Sequence, residues 1–208
     1  MTTSAVVRIV DDDPLVAESL RFLLEIAGYR VIAFDDARTF LQTDDHTQLG
    51  CVILDIRMPE MTGLECQQAM IEAHDDLPIV FLSAHADVEM AVEAVQKGAS
   101  GFVVKPPKTP LLLAEIQKAV ALHARRLSLR AEVASTQALL NHLTPAEMET
   151  AHLIAKGLTN ADIASLLGIS EGTVRHRRMS ISEKLDAQNA VEVGELFHWL
   201  DACQKELP

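Results

Sequence analysis

Five short, almost uninterrupted runs rich in Val and Ile punctuate the first 110 residues, at 5–10, 30–34, 51–54, 79–82 and 101–104. A strand with one wet face alternates apolar and polar residues, whereas a strand buried on both faces reads as a continuous run. The runs therefore predict the parallel strands of a sheet covered on both sides.

Between the runs lie helix-length segments. Leu15, Val16, Leu20, Leu23, Leu24 and Ala27 recur with helical spacing before Gly28, and Val88, Ala91, Val92 and Val95 do so before Gly98. Strands alternating with helices predict an α/β fold, a doubly wound five-stranded parallel sheet. From Leu111 the helical pattern runs through Leu113, Ile116, Val120 and Leu127 to about Asn141, with no Gly or Pro after 110 until Pro145. The last helix is thus expected to extend into a helical linker. Beyond Leu143 the pattern is all-α. Thr144, Pro145 and Glu147 form a helix start with a capping box, Gly157 and Gly168 end helices, and Thr159 or Asn160 and Ser170 begin them. A fourth helix is expected over roughly 190–203. The expected domains are 1–121, a helical linker at 122–142, and a four-helix domain at 143–208.

The polar residues fall where the strands end. Asp11 and Asp12 follow the first run, Asp55 the third, Ser83 the fourth and Lys105 the fifth. Ligands of open α/β sheets bind outside the carboxyl ends of the strands. One rim thus receives three carboxylates, a hydroxyl and an ammonium. Three carboxylates repel one another unless a hard cation intervenes, and Mg²⁺ suits few carboxylates with several waters. Cation and lysine together neutralise a phosphoryl group, and Ser83 can donate to one of its oxygens. This is equipment for phosphoryl transfer, in which an Asp carboxylate can itself be the nucleophile.

In the C-terminal part, Ala164, Gly168 and Val174 have the spacing of a helix-turn-helix: close helix approach, a turn, and an apolar lock on the second helix. At 100° per residue Ile181 and Leu185 share the buried stripe of Val174. Gly172, Arg175, His176 and Met179 then face the opposite way, towards a DNA major groove. Arg177 and Lys184 fall on one flank, suited to phosphates, and Arg178 is expected to snorkel along the apolar edge. Residues 172–185 carry a net charge of +3 within a segment, 143–208, of net −4. Arg175 is a candidate reader of guanine, His176 a hydrogen-bonding group, and Met179 a contact for a thymine methyl.

Composition sets the outer bounds. A formal charge of −12 excludes a uniformly basic nucleic-acid coat. Cys51, Cys66 and Cys203 are odd in number and widely spaced, which argues against a disulfide framework or zinc site. No apolar run reaches the ~20 residues of a membrane span. Arg8 and Asp11 to Asp13 come too early for a secretory signal. The expectation is a cytoplasmic protein without membrane contact.

The ordered set of motifs resembles the receiver domain of two-component response regulators, a CheY-like fold. It comprises Val7–Asp13, Leu54–Gly63, Phe81–His85 and Lys105-Pro106. The segment from Leu143 resembles the LuxR/NarL/FixJ DNA-binding module through Leu143-Thr144, Glu147, Glu149, Gly157, Thr159-Asn160, Ile163-Ala164, Leu167, Ile169-Ser170, Thr173-Val174 and Lys184-Leu185. The whole chain looks like a FixJ-type regulator. That resemblance implies that Asp55 accepts a phosphoryl group from a sensor histidine kinase. It implies that Asp12, Asp55 and the backbone carbonyl of Arg57 hold Mg²⁺, with Asp11 acting through water. Lys105 would pair with phosphoryl oxygens and be joined to Pro106 by a cis bond, Ser83 would move towards the phosphate, and Phe102 would be the aromatic switch. It implies homodimerisation on phosphorylation, promoter DNA as ligand and RNA polymerase as a further partner, without enzymatic turnover of its own.

The chain departs from the family pattern in places. Pro107 and Gly101 replace a common aromatic and a common acid. Arg57 and His85 stand at positions that tune phosphoryl lifetime in the family. Ala146, Ala161 and Ala190 stand where Arg or Lys is frequent, which removes phosphate contacts, and Arg177 replaces a common His. Two alternatives remain at this level: a receiver whose C-terminal helices bind protein, and an aspartyl-phosphate phosphohydrolase. The second wants an Asp two residues after the nucleophile, where Arg57 stands.

Overall fold

A computed structural model describes residues 5–84 and 88–207. His85 and the side chain of Val88 lie outside the described set. The chain divides into two compact units at Ser128 and Leu129.

The first unit holds five parallel strands, β1 (Val6–Val10), β2 (Arg30–Phe34), β3 (Gly50–Asp55), β4 (Ile79–Ser83) and β5 (Gly101–Val104), in the order β2-β1-β3-β4-β5. Helices α1 (Pro14–Ile26), α2 (Ala37–Thr43), α3 (Gly63–Glu72) and α4 (Val88–Gln96) connect them, and α5 (Thr109–Leu140) follows. The strands occupy the apolar runs almost residue for residue. Their alternate side chains build two cores. Val10, Val52, Leu54 and Phe81 pack with Phe40 and Met70 on one face, and Val7, Ile9, Ile53, Val80 and Leu82 pack with Leu112 and Ile116 on the other. Each such fully buried side chain contributes roughly 1.5–3 kcal/mol of apolar burial.

Helix faces differ in part from the periodicity. In α1 Leu20 and Leu24 are buried, but Leu15 is exposed, as are Phe22 and Ile26. Among the described side chains of α4 the buried one is Ala94, with Met90 packed beside it, whereas Val92 and Val95 are exposed. Ala91, Val92, Ala94 and Val95 are all apolar, so spacing cannot choose between two neighbouring stripes. Tertiary packing on the sheet chooses the one containing Ala94.

The Arg8 side chain, from the middle of β1, is fully buried and reaches towards the amino ends of the strands. Its Nε donates to Asp44 Oδ2 at 2.7 Å, and its other nitrogens donate to the carbonyls of Val6, Gln48 and Asp45. A Cβ on Gly50 would lie 1.7 Å from the Val6 carbonyl oxygen and 2.7 Å from Arg8 Nη1, so only glycine fits beneath the guanidinium. The segment read as a linker begins as part of this unit. His123 Nδ1 lies 3.0 Å from both the backbone nitrogen and the carbonyl oxygen of Gly50, and Arg126 donates to the Asp76 carbonyl.

The second unit contains the end of α5 and helices α6 (Pro145–Ala155), α7 (Asn160–Leu167), α8 (Glu171–Leu185) and α9 (Ala190–Glu206). Thr144 with Glu147 and Thr159 with Asp162 form reciprocal capping boxes, and Ser170 caps α8. Gly168 ends α7 at φ +65°, a conformation that costs other residues energy. Leu140, Ile154, Ile163, Val174, Ile181, Leu185 and Leu200 form the core. No described helix is long and apolar enough to cross a membrane.

Candidate functional site

Strand register brings the polar residues together. Val10 pairs with Leu54, Asp55 with Leu82, and Ser83 with Val104, so the residues at the carboxyl ends of β1, β3, β4 and β5 stand side by side. One oxygen each from Asp11, Asp12 and Asp55 lie within 4.8 Å of one another. Lys105 Nζ sits 2.6 Å from Asp11 Oδ2 and 3.2 Å from Asp55 Oδ1. Asp11, Asp55 and Ser83 are buried, while Asp12 is exposed.

The electrostatics follow from that placement. Burial pushes the Asp55 carboxyl up from the ordinary Asp value, against the opposing pull of the Lys105 ammonium. Burial alone would lower Lys105, but Asp11 and Asp55 outweigh it and hold the ammonium above its ordinary value. A compact set of hard oxygen donors fits a divalent cation of the magnesium type. An open cleft of about 640 Å³ adjoins the acids, lined by Pro14, Glu18, Arg21, Phe34 and Asp35.

The loop after β3 completes the site. Arg57 is exposed, between the buried Ile56 and Met58. Thr62 caps α3 with Glu65 in a capping box. A Cβ on Gly63 would lie 2.3 Å from the carbonyl oxygen of Asp55. Gly63 belongs to the motif quoted above, but its role as the floor beneath Asp55 was not legible there. Its carbon must lie against the Asp55 backbone, a contact visible only once α3 is placed. The peptide bond from Lys105 to Pro106 is cis, and Phe102 is half-buried against the core that includes Phe81. At Gly101 the Glu115 carboxylate of α5 fills the space, 2.7 Å from where a Cβ would be.

In the second unit α7, the turn at Gly168 and α8 form the helix-turn-helix. Ala164 and Val174 are buried at its crossing, and Ile181 and Leu185 continue the buried stripe. Gly172, Arg175, His176 and Met179 are exposed on the other face. The flanking cations Arg177, Arg178 and Lys184 have partners within the unit. Lys184 Nζ lies 2.6 Å from Glu147 Oε2. Arg177 Nη1 reaches the Ala146 carbonyl and Thr150 Oγ1, and Arg178 Nη2 donates to the Leu158 carbonyl at 2.7 Å.

Residues 7–117 match the response regulator receiver domain family, and residues 141–196 match the luxR family of bacterial regulatory proteins. The chain belongs to the response regulators. This regulator is 36% identical over 194 residues to the response regulator protein TmoT of Ectopseudomonas mendocina, covering 92% of the chain and 88% of that protein. It is 34% identical over 196 residues to the transcriptional regulatory protein FixJ of Bradyrhizobium diazoefficiens, covering 94% and 96%. A low-resolution structure of the response regulator StyR matches with a TM-score of 0.79 and 39% identity, over 94% of the regulator and 98% of that chain. The receiver fold followed by a LuxR-type helix-turn-helix, and a role in transcription regulation, are those of this family.

Proposed function

We propose that a sensor histidine kinase phosphorylates this regulator on Asp55 and that the phosphorylated form dimerises and binds promoter DNA. The reading assigns 1–121 to the receiver, 122–142 to the linker and 143–208 to the DNA-binding domain. It takes the protein to be cytoplasmic, with RNA polymerase as a further partner and no catalytic turnover of a substrate. The observation that carries it is the convergence of Asp11, Asp12, Asp55, Ser83 and Lys105 at the carboxyl ends of the strands in a chain that also holds a helix-turn-helix.

An Asp55 carboxylate oxygen attacks the phosphorus of the donor, the bond from phosphorus to the donor nitrogen or oxygen breaks, and the leaving group departs with that electron pair. Lys105 already bonds Asp55, so its ammonium stands ready for the oxygens of the incoming group. Ser83, on the neighbouring strand, would donate its hydroxyl to one of them. Asp12, Asp55 and the Arg57 carbonyl would hold Mg²⁺, with Asp11 through water. The cation supplies positive charge to the phosphoryl oxygens. Phe102 would follow Ser83 as the switch. On α8 Arg175, His176 and Met179 would meet base edges, because they are the exposed face opposite the buried stripe.

The test is intact mass after treatment with acetyl phosphate and Mg²⁺. The expected result is an acid-labile gain of about 80 Da, one phosphoryl group, absent in Asp55→Asn. No adduct on the unaltered chain refutes the proposal. The phosphohydrolase alternative lacks support because Arg57 stands where its acid would be.

A further inference from the structure

Residues 172–185 carry a net charge of +3, with Arg177 and Lys184 expected on a flank suited to phosphates and Arg178 along the apolar edge. In the structure all three bond back onto their own unit. Glu147, at the first turn of α6, accepts from Lys184 Nζ and Thr144 Oγ1 with one carboxylate oxygen and from Ser180 Oγ, at 2.6 Å, with the other. Lys184, first among these partners, and Ser180 drive the Glu147 carboxyl down to about 2. Arg177 and Arg178 end on backbone carbonyls at the two ends of α6: Ala146 in its first turn and Leu158 just beyond its last. Three of the four cations of α8 thus bond the segment behind it, α6 and the turn that follows α6. Arg175 is exposed and, among the described residues, has no hydrogen-bond or ion-pair partner.

We infer that Arg177, Arg178 and Lys184 are positioning residues that clamp α8 against α6, and that Arg175 is the cation this helix offers to DNA. This rests on the reading of α8 as the groove helix. A cation that neutralises a phosphate releases a counterion, and removing it lowers the salt slope of binding by about one. A cation whose charge faces Glu147 does not. Its removal loosens the helix and weakens binding at every salt concentration alike.

The experiment uses the full chain and a fluorescent mixed-sequence DNA duplex, with affinity measured across a salt series beside a thermal melt. The mixed-sequence duplex offers Arg175 no particular base, so its guanidinium meets backbone phosphate there, and Arg175→Ala is expected to reduce the slope by about one and leave melting unchanged. Lys184→Met is expected to lower the melting midpoint and keep the slope. Lys184→Gln retains a donor towards Glu147 and is expected to regain part of the midpoint with the same slope. It also supplies the slope if Lys184→Met does not fold. A double-mutant cycle with Glu147→Gln is expected to show coupling in the melt. A slope lowered by about one in either Lys184 variant, or a cycle without coupling, overturns the inference. If the unaltered chain binds the duplex at no salt concentration, the DNA reading fails by itself. The cycle alone then decides the clamp: coupling supports it and additivity overturns it.

Discussion

At the scale of single residues, the site depends on close backbone approach as much as on charge. Asp55 keeps its place because Gly63 lets the start of α3 lie against its carbonyl. In Gly63→Ala the new methyl would stand 2.3 Å from that oxygen, which is a backbone atom with no side-chain freedom to yield. The loop must shift, at a cost of about 1–3 kcal/mol, typical of overpacking. Urea unfolding should show that loss, and the rate of adduct formation with acetyl phosphate should fall as Asp55 is displaced from Lys105. The opposite end of the sheet has a different weak point. Arg8 is fully buried, and the Asp44 side chain it holds is only 4% exposed. Arg8→Met leaves that carboxylate without its closest cation, and three carbonyls lose a donor. Breaking a buried pair on one side costs about 3–5 kcal/mol. The double variant Arg8→Met, Asp44→Leu should recover much of it, because no uncompensated charge then remains. Equal stability of the single and double variants would contradict this account.

At the scale of elements, α5 is the informative case. Helical spacing predicts its length well, since no breaker interrupts it, but spacing is silent on where the first unit ends. The answer lies in His123 and Arg126, whose partners Gly50 and Asp76 are far away in sequence. The same blindness explains the cations of α8, since Lys184 finds Glu147 37 residues earlier. The strands and the converging acids were legible because apolar continuity and strand ends are local properties. Partner choice is not local. His123 gives the anchoring a pH dependence. Its ring is fully buried, Nε2 has no partner among the described residues, and burial first, then Arg8 and Arg126, hold its pKa below 6.5, against Gly50 and Asp75. The unfolded chain therefore takes up the proton first. Stability is full above about 6.5 and declines as pH falls below it. Chemical denaturation across that range should show the decline, and His123→Gln should flatten it. An identical slope in the variant would assign the effect elsewhere.

At the scale of the whole molecule, the charge distribution sets the terms of DNA binding. Residues 1–121 carry a net −10 and residues 143–208 a net −4. Within the latter, Ala146, Ala161 and Ala190 offer no cation, and the bonds of Arg177, Arg178 and Lys184 tie up most of those on α8. A single module so equipped neutralises few phosphates, and affinity falls steeply with the number lost. Two modules on one duplex double that number and add the benefit of effective concentration. Binding should thus depend on assembly more than on the individual helix. With acetyl phosphate and Mg²⁺ the unaltered chain should sediment as a dimer and bind DNA at a concentration where Asp55→Asn, still monomeric, does not. Raising the total concentration of Asp55→Asn should restore binding with a sigmoidal rather than hyperbolic curve, because assembly then comes from mass action. A hyperbolic curve from a monomer, with the same affinity in both proteins, would mean that one module suffices and that phosphorylation acts on something other than the number of modules brought to the duplex.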